Sequence, residues 1–228
     1  MTIDHHYDIE QGSDEWHALR NGVLTASEMK LIVTPTLKIA KNDKVRSHVY
    51  EIAAQRITGI TESTAETWDM MRGSVEEVYA REYYNKYYKK TTECGFITRN
   101  MGEYTLGFSP DDLIDDDGFI EIKCRKQKFQ IQTIAANEVP KEYMMQIQDG
   151  FFVSGRKYCD FIQYSNGMPM FVKPVEPIAE YQDAIAEAVK LFELSVSEIT
   201  EQYKTNAKGL IETKRHAEFN GDMMEESE

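Results

Sequence analysis

Ser109-Pro-Asp-Asp-Leu-Ile-Asp-Asp-Asp-Gly-Phe-Ile-Glu-Ile-Lys123 is the stretch around which the rest of the chain is read. After the turn residue Gly118, apolar and polar residues alternate through Phe119-Ile-Glu-Ile-Lys-Cys124, the pattern of a short strand. A period of two puts Glu121 and Lys123 on one face and Ile120 and Ile122 on the other. Upstream, Glu103-Tyr-Thr-Leu-Gly-Phe108 alternates in the same way and ends just before Asp111, so a hairpin between the two strands is expected to bring Asp111 beside Glu121. Two carboxylates and an ammonium then converge.

Carboxylates in this arrangement suit Mg²⁺, or Mn²⁺ in its place, because such ions take one or two protein carboxylates together with waters and a substrate phosphate. A lysine beside the ion would orient an attacking water and offset the charge of an anionic transition state. The chemistry suggested is phosphodiester hydrolysis. The competing reading is a solvated hairpin in which Asp112, Asp115, Asp116 and Asp117 only keep the turn wet, and spacing alone leaves both open.

A helix expected over Trp68–Tyr88 carries Met71, Val75, Val78 and Tyr79 on an apolar stripe. Its Gly73, Glu77, Ala80 and Tyr84 lie on another face. Glu77, between small residues, either reaches a metal site or pairs with Arg81 one turn on. A further helix, Lys141–Val153, places Gln146 and Gln148 where one of them would hydrogen-bond an active-site carboxylate or water.

Near the start, Ser13 caps a short helix that ends at Asn21-Gly22. Thr25-Ala-Ser-Glu28 reads as a capping box, with Ser27 in the first turn of a helix running to about Val33. Free backbone N–H groups, the Ser27 hydroxyl and Arg20 would together hold an anion such as a terminal DNA phosphate; alternatively the helix start binds only water and its own cap. Lys44–Ile57 has helical spacing and is expected to leave Arg46 and Arg56 facing DNA, Asn166-Gly167 marks a two-residue hairpin turn, and Ala179–Tyr203 is a packing helix.

The chain has 228 residues, 41% of them apolar, enough to bury the core of one domain of mixed α/β type. A single domain over residues 1–206 is expected, followed by a polar, acidic, flexible tail over 207–228. No apolar run approaches the roughly 18 residues of a membrane span and no signal peptide is read, so a cytoplasmic protein is expected. Cys94, Cys124 and Cys159 lack metal-like spacing and are expected as reduced thiols. The net charge of −13 argues against nucleic acid only superficially. Acids concentrate around the proposed site and in the tail, while Lys123, Arg125, Lys126 and Lys128 form a basic run directly after the site.

Several motifs stand in one order: Gln11-Gly12-x-x-x-Trp16-His17-x-Leu19-Arg20-x-Gly22-x-x-Thr25-Ala26-Ser27-Glu28, Gly73-x-x-x-Glu77, Ser109-Pro110-Asp111, Glu121-Ile122-Lys123-Cys124 and Tyr143-Met144-x-Gln146-x-Gln148. On these residues the chain resembles the phage lambda exonuclease family of viral recombination nucleases (YqaJ-type), within the PD-(D/E)xK nuclease superfamily. The resemblance implies a restriction-endonuclease-like core, a central mixed β-sheet flanked by helices. It implies that Asp111, Glu121 and the Ile122 backbone carbonyl bind Mg²⁺, that Glu77 assists the metal, that Lys123 serves the nucleophilic water and that Gln146 orients the site. Arg20 and Ser27 would hold the 5′-terminal phosphate. The implied activity is 5′-to-3′ digestion of one strand of linear duplex DNA, leaving 3′ overhangs for phage-type recombination. A ring-shaped homotrimer, a phage single-strand annealing protein as partner, and phage or prophage origin in a bacterial host are implied as well. Asp112 and Arg125 depart from the family, which often has Gly and Pro there. Two other readings of the residues are a PD-(D/E)xK endonuclease and a non-catalytic acidic DNA mimic; the second predicts acids spread along a surface rather than gathered with a lysine.

Overall fold

Pro110 decides the topology. It has no N–H for a ladder, so the chain leaves one sheet at Ser109-Pro110 and enters another at Asp112. The structure, a computed structural model, describes residues 2–62 and 67–215. Its elements are β1 (Thr2–His6), α1 (Asp14–Arg20), β2 (Leu24–Thr25), α2 (Met29–Ile32), α3 (Asp43–Thr58), α4 (Trp68–Tyr87), β3 (Phe96–Asn100), β4 (Thr105–Phe108), β5 (Asp112–Ile114), β6 (Gly118–Cys124), α5 (Gln127–Ala136), α6 (Lys141–Ser154), β7 (Tyr158–Tyr164), β8 (Phe171–Val175) and α7 (Ala179–Asn206).

The first sheet has the order β1-β3-β4-β2 and the second β5-β6-β7-β8. Both are mixed: β2 runs parallel to β4, and β6 parallel to β7 through a crossover containing α5 and α6. The fold class is therefore mixed α/β, as expected, with two sheets in place of one central sheet.

The larger core lies where Phe108 of β4 meets Phe119 of β6 and Phe151 of α6, ring to ring at 5.0 Å in each step, and it continues into α3 and α7 through Ile52, Ile185, Val189 and Phe192. Gly150 allows this junction. A Cβ there would stand 2.9 Å from the Phe108 ring and 3.0 Å from that of Phe119, so only glycine lets α6 pass this close. A smaller core on the other side of the second sheet joins Ala80 and Tyr84 of α4 to Ile114, Ile120, Ile122 and Ile162.

Several expectations are corrected. The antiparallel partner of β6 is β5, with Asp112 opposite Ile120, and not the Glu103–Phe108 strand, which pairs with β3 and β2 across the Pro110 bend. The stripe Met71, Val75, Val78 and Tyr79 is exposed, because α4 turns its Ala80 and Tyr84 face to the sheet. Arg56 is exposed in part but not free: it makes two bonds to Glu193, at 2.6 and 2.8 Å, and donates to the Gly22 carbonyl, tying α3 to α7. Asn166-Gly167 does form the turn, closed by the Met168 N–H on the Ser165 carbonyl at 3.0 Å, but the β7–β8 ladder resumes only with Gln163 opposite Phe171. Cys94 and Cys159 are buried free thiols and Cys124 is half-buried. Residues 216–228 of the expected tail, its acids from Asp222 to Glu228 included, and 63–66 of the connection before α4 lie outside the described residues.

Candidate active site

Asp111 sits at the step between the two sheets, one residue before β5. The ladder of β5 ends opposite Ile120, which leaves the edge of β6 bare from Ile122 onward. Asp111 fills that gap: the Ile122 N–H donates to Asp111 Oδ2. In a strand the N–H and C=O of one residue point to the same edge, so the Ile122 carbonyl faces Asp111 too. A carboxylate and a backbone carbonyl are thus aimed at one spot.

Glu121 completes the arrangement. Its side chain is buried beside Phe119 and Phe161, ion-paired to Lys123, and its Oε2 has no hydrogen-bond partner. Leaving such an oxygen bare is costly unless something else fills the place. Burial, reinforced by Asp111 and opposed by Lys123, pushes the Glu121 carboxyl up to about 7. Asp111 is likewise raised by burial against the pull of Lys123. Burial alone would lower Lys123, but Glu121 and Asp111 outweigh it and hold the ammonium above its ordinary value. Lys123 is thus held as an ammonium beside the two carboxylates. Its Nζ also stands 5.6 Å from the Tyr143 ring centre.

Glu77 on α4 donates nothing and accepts 2.7 Å from Arg81 Nη2, so the pairing with Arg81 is present. It shares a solvent-open cavity of about 380 Å³ with Arg81, Asp111 and Asp112. Burial first, and then Asp111, pushes its carboxyl up to about 7. Among the described residues no three His, Cys, Asp or Glu side chains are gathered tightly enough to hold a metal on their own. What converges is two carboxylates and one carbonyl, with Glu77 a step outside.

Arg81 is the residue that sequence reading passed over. Beyond Glu77 it donates 3.1 Å to the Asp111 carbonyl and pairs at 3.2 Å with Asp112 Oδ2, joining α4 to the Asp111 turn. Asp112 is consequently not a wet turn residue. It is buried, also accepts from the Thr91 hydroxyl, and is raised by burial. The available signal was the i, i+4 spacing of Glu77 and Arg81.

Arg20 lies over the Trp16 ring at 4.3 Å and donates to Ser109 Oγ at 3.3 Å and Thr25 Oγ1 at 3.5 Å; Ser27 Oγ is 3.2 Å from that same threonine hydroxyl. Trp16 Nε1 fixes Ser109 as well, at 3.1 Å. Arg20 and Ser27 are therefore brought together, two residues upstream of Asp111 through Ser109. The helix-start account of this place is corrected. Thr25 is in β2, Ala26 N–H bonds the Gly107 carbonyl, and the four-residue α2 starts only at Met29, so Ser27 lies in a turn before it. Glu28 still folds back to the Thr25 N–H at 2.8 Å. Burial works against the Arg20 charge and Glu28 supports it from a distance, but the groups Arg20 bonds directly are neutral hydroxyls, which leaves it suited to an anion.

The two glutamines divide. Gln148 is fully buried and serves structure: it donates to the Glu176 carbonyl and accepts from Ile178 N–H, both at 2.8 Å, fixing the entry to α7. Gln146 is half-buried, one turn after Tyr143 on the face of α6 nearest Lys123.

Residues 15–157 match the model of the YqaJ-like viral recombinase domain. The structure is similar to that of the alkaline exonuclease LHK-Exo from Laribacter hongkongensis, with a TM-score of 0.76 and 30% identity over 87% of this chain and 100% of that one. LHK-Exo in complex with dAMP matches with a TM-score of 0.77 at the same identity and coverage. A phage-related exonuclease from Haemophilus somnus 129PT shares the fold, with a TM-score of 0.56 at 14% identity over 79% of this chain and 96% of that one. No curated protein matches the chain.

Proposed function

Because the chain belongs to the YqaJ-like viral recombinase domain family, we propose that it is a Mg²⁺-dependent exonuclease that digests one strand of linear duplex DNA from its 5′ end. Family membership and the LHK-Exo match make it a nuclease; metal, polarity and a role in preparing 3′ overhangs for single-strand annealing are the finer reading. No helix among the described residues is long and apolar enough to cross a membrane.

The observation that carries the reading is the bare buried Oε2 of Glu121, in a carboxyl near enough to Asp111 for the two to repel, with Asp111 itself held on the Ile122 N–H. This donor set fits a hard divalent cation that keeps several waters. When bound, Mg²⁺ would supply Lewis-acid stabilisation and a water of lowered pKa. Asp111, Glu121 and the Ile122 carbonyl would be its ligands. Lys123, an ammonium beside Glu121 and Asp111, would hold the attacking water by hydrogen bonding and face the charge that develops on the phosphate. Glu77, with a carboxyl near 7, would assist from the far side of Asp111, held in place by Arg81. Gln146 would orient the site from α6. Arg20 and Ser27 would bind the 5′-terminal phosphate and thereby measure one nucleotide from the end to the scissile bond.

Linear duplexes labelled at either 5′ or 3′ ends, with circular duplex as control and Mg²⁺ present or chelated, test this. Mononucleotide release from 5′-phosphorylated ends only, abolished by chelation and absent on the circle, is expected. Cutting of the circle would make the protein an endonuclease, and release that survives chelation would remove the metal.

A further inference from the structure

Beyond Lys123 the second sheet continues for one more bond, from Arg125 N–H to the Tyr164 carbonyl at 2.9 Å. Strand alternation therefore puts Arg125 on the Lys123 face, about 7 Å further along. Its guanidinium is braced: it stacks on the Phe129 ring at 4.3 Å, donates to the Tyr143 hydroxyl, and reaches Glu142 at 3.1 Å. Tyr143 touches both cations, since Lys123 Nζ is 5.6 Å from its ring. Burial, with Glu142, pushes the Tyr143 hydroxyl up to about 12, so it stays neutral and does not satisfy the arginine's charge. Glu142 is largely solvent-exposed, and an exposed ion pair of this kind is weak and readily exchanged. Between α5 and α6, next to this arginine, lies a cavity of about 370 Å³ lined by Phe129, Gln132, Thr133, Tyr143 and Gln163. Gln163 is committed to the Phe129 carbonyl and the Thr133 hydroxyl, which makes the wall rigid.

The cations thus stand in sequence: Arg20 at Ser109, Lys123 at Asp111 and Glu121, then Arg125 beyond Tyr143. A chain with a net charge of −13 keeps Arg20 on Ser109, just before the Asp111 turn, and both Lys123 and Arg125 against Tyr143. Resting on the exonuclease reading, we propose that Arg125, Phe129 and Tyr143 form a binding subsite for the nucleotide 3′ of the scissile bond. Arg125 takes the second internucleotide phosphate of the digested strand, and the α5–α6 cavity takes the attached base. A planar guanidinium that fits phosphate and an adjoining cavity large enough for a base are the two features such a place supplies.

The test uses 5′-phosphorylated duplexes carrying an uncharged methylphosphonate at the second linkage from the 5′ end, with the first linkage left natural. The wild-type protein should release the first nucleotide about 10- to 100-fold more slowly from the modified duplex, the scale of a lost charge-assisted hydrogen bond. Arg125→Ala should show a raised KM on natural DNA and lose little more when the linkage is neutralised. Arg125→Lys, which keeps the charge and loses the stacking plane, should fall between them, and matching melting temperatures separate these effects from misfolding. An equal penalty from the neutral linkage in wild type and Arg125→Ala overturns the subsite while leaving the exonuclease reading intact. No release of 5′ nucleotides from any duplex overturns both.

Discussion

Helix α4 has two faces that invert the usual relation between hydropathy and burial. Its outward face carries Trp68, Met71, Val75 and Tyr79, with Trp68 85% exposed, while its inward face carries Glu77, Ala80, Arg81 and Tyr84. The inward face is chosen by fit. Ala80 is small enough to let the helix press on Ile120 and Ile122, and Tyr84 fills the remaining space and donates its hydroxyl to Asp160 at 2.5 Å. That close approach is what carries Glu77 and Arg81 to the Asp111 turn. The price is an apolar stripe left in water, the kind of surface that marks contact with another molecule. The homotrimer implied by family resemblance is one use for it.

The largest expected effect is at the site the inward face serves. Lys123→Ala should lower the rate by about 10²–10³ or more, the scale of removing one positioned charge or donor from a transition state, with DNA affinity largely kept. A binding assay beside single-turnover kinetics checks this, and wild-type turnover would reject the role given to Lys123. Ala80→Leu strikes the inward face itself. Overpacking against Ile120 and Ile122 should cost about 1–3 kcal/mol in denaturant unfolding and also reduce activity, because Glu77 and Arg81 move with the helix. Unchanged activity would separate the packing from the site.

A second buried acid sharpens the comparison. Asp149 on α6 is buried with both carboxylate oxygens unpartnered, and burial alone pushes it up to about 8. Among the described residues no cation draws it the other way, as Lys123 does Asp111 and Glu121. The folded protein holds a proton there between roughly pH 4 and 8 that the unfolded chain has lost, so stability falls as pH rises through that window, by up to about 1.4 kcal/mol per unit. Asp149→Asn should flatten this dependence and stabilise the protein most at and above pH 8, as read by denaturant midpoints at pH 5 and 8. A pH profile unchanged by the substitution would refute it.

The smallest effect on stability is expected outside. Val75→Glu together with Tyr79→Glu should alter unfolding free energy by only about 0.5 kcal/mol per site, since neither side chain is buried; on our proposal that the stripe holds copies of the chain together, the pair should also shift the sedimentation coefficient toward monomer. An oligomer that survives both changes would assign the stripe elsewhere.

The parts of this molecule that could be read in advance are those written locally. Period two from Gly118 to Cys124 gave the strand and the shared face of Glu121 and Lys123; Ser13 and Asn21 gave both ends of α1. The partner of that strand was not local. The alternating segment Glu103–Phe108 was the visible candidate, whereas Asp112–Ile114, too short to show a period and counted with the acidic turn, does the pairing beyond the Pro110 bend. The strands β1 and β3 escaped notice because Thr2–His6 is a polar edge and Phe96–Asn100 turns polar after two residues, while α5 has no side-chain cap to announce it. Arg20 and Ser27 were grouped by a capping pattern that the pairing of Thr25 with Gly107 overrides, yet the hydroxyl network still unites them. Arg81 bridges Glu77 to a turn thirty residues away, a relation that no spacing rule contains.

Direct titration with Mn²⁺, followed by the loss of its free-ion electron paramagnetic resonance signal, tests the central claim most closely. At pH 8, where Glu77 and Glu121 have given up their protons, wild type should bind the ion and Asp111→Asn should lose more than about 100-fold in affinity, with wild-type binding weakening as pH falls through 7. Equal Mn²⁺ binding by wild type and Asp111→Asn would contradict the account, because it would place the cation somewhere other than the edge where Asp111, Glu121 and the Ile122 carbonyl meet.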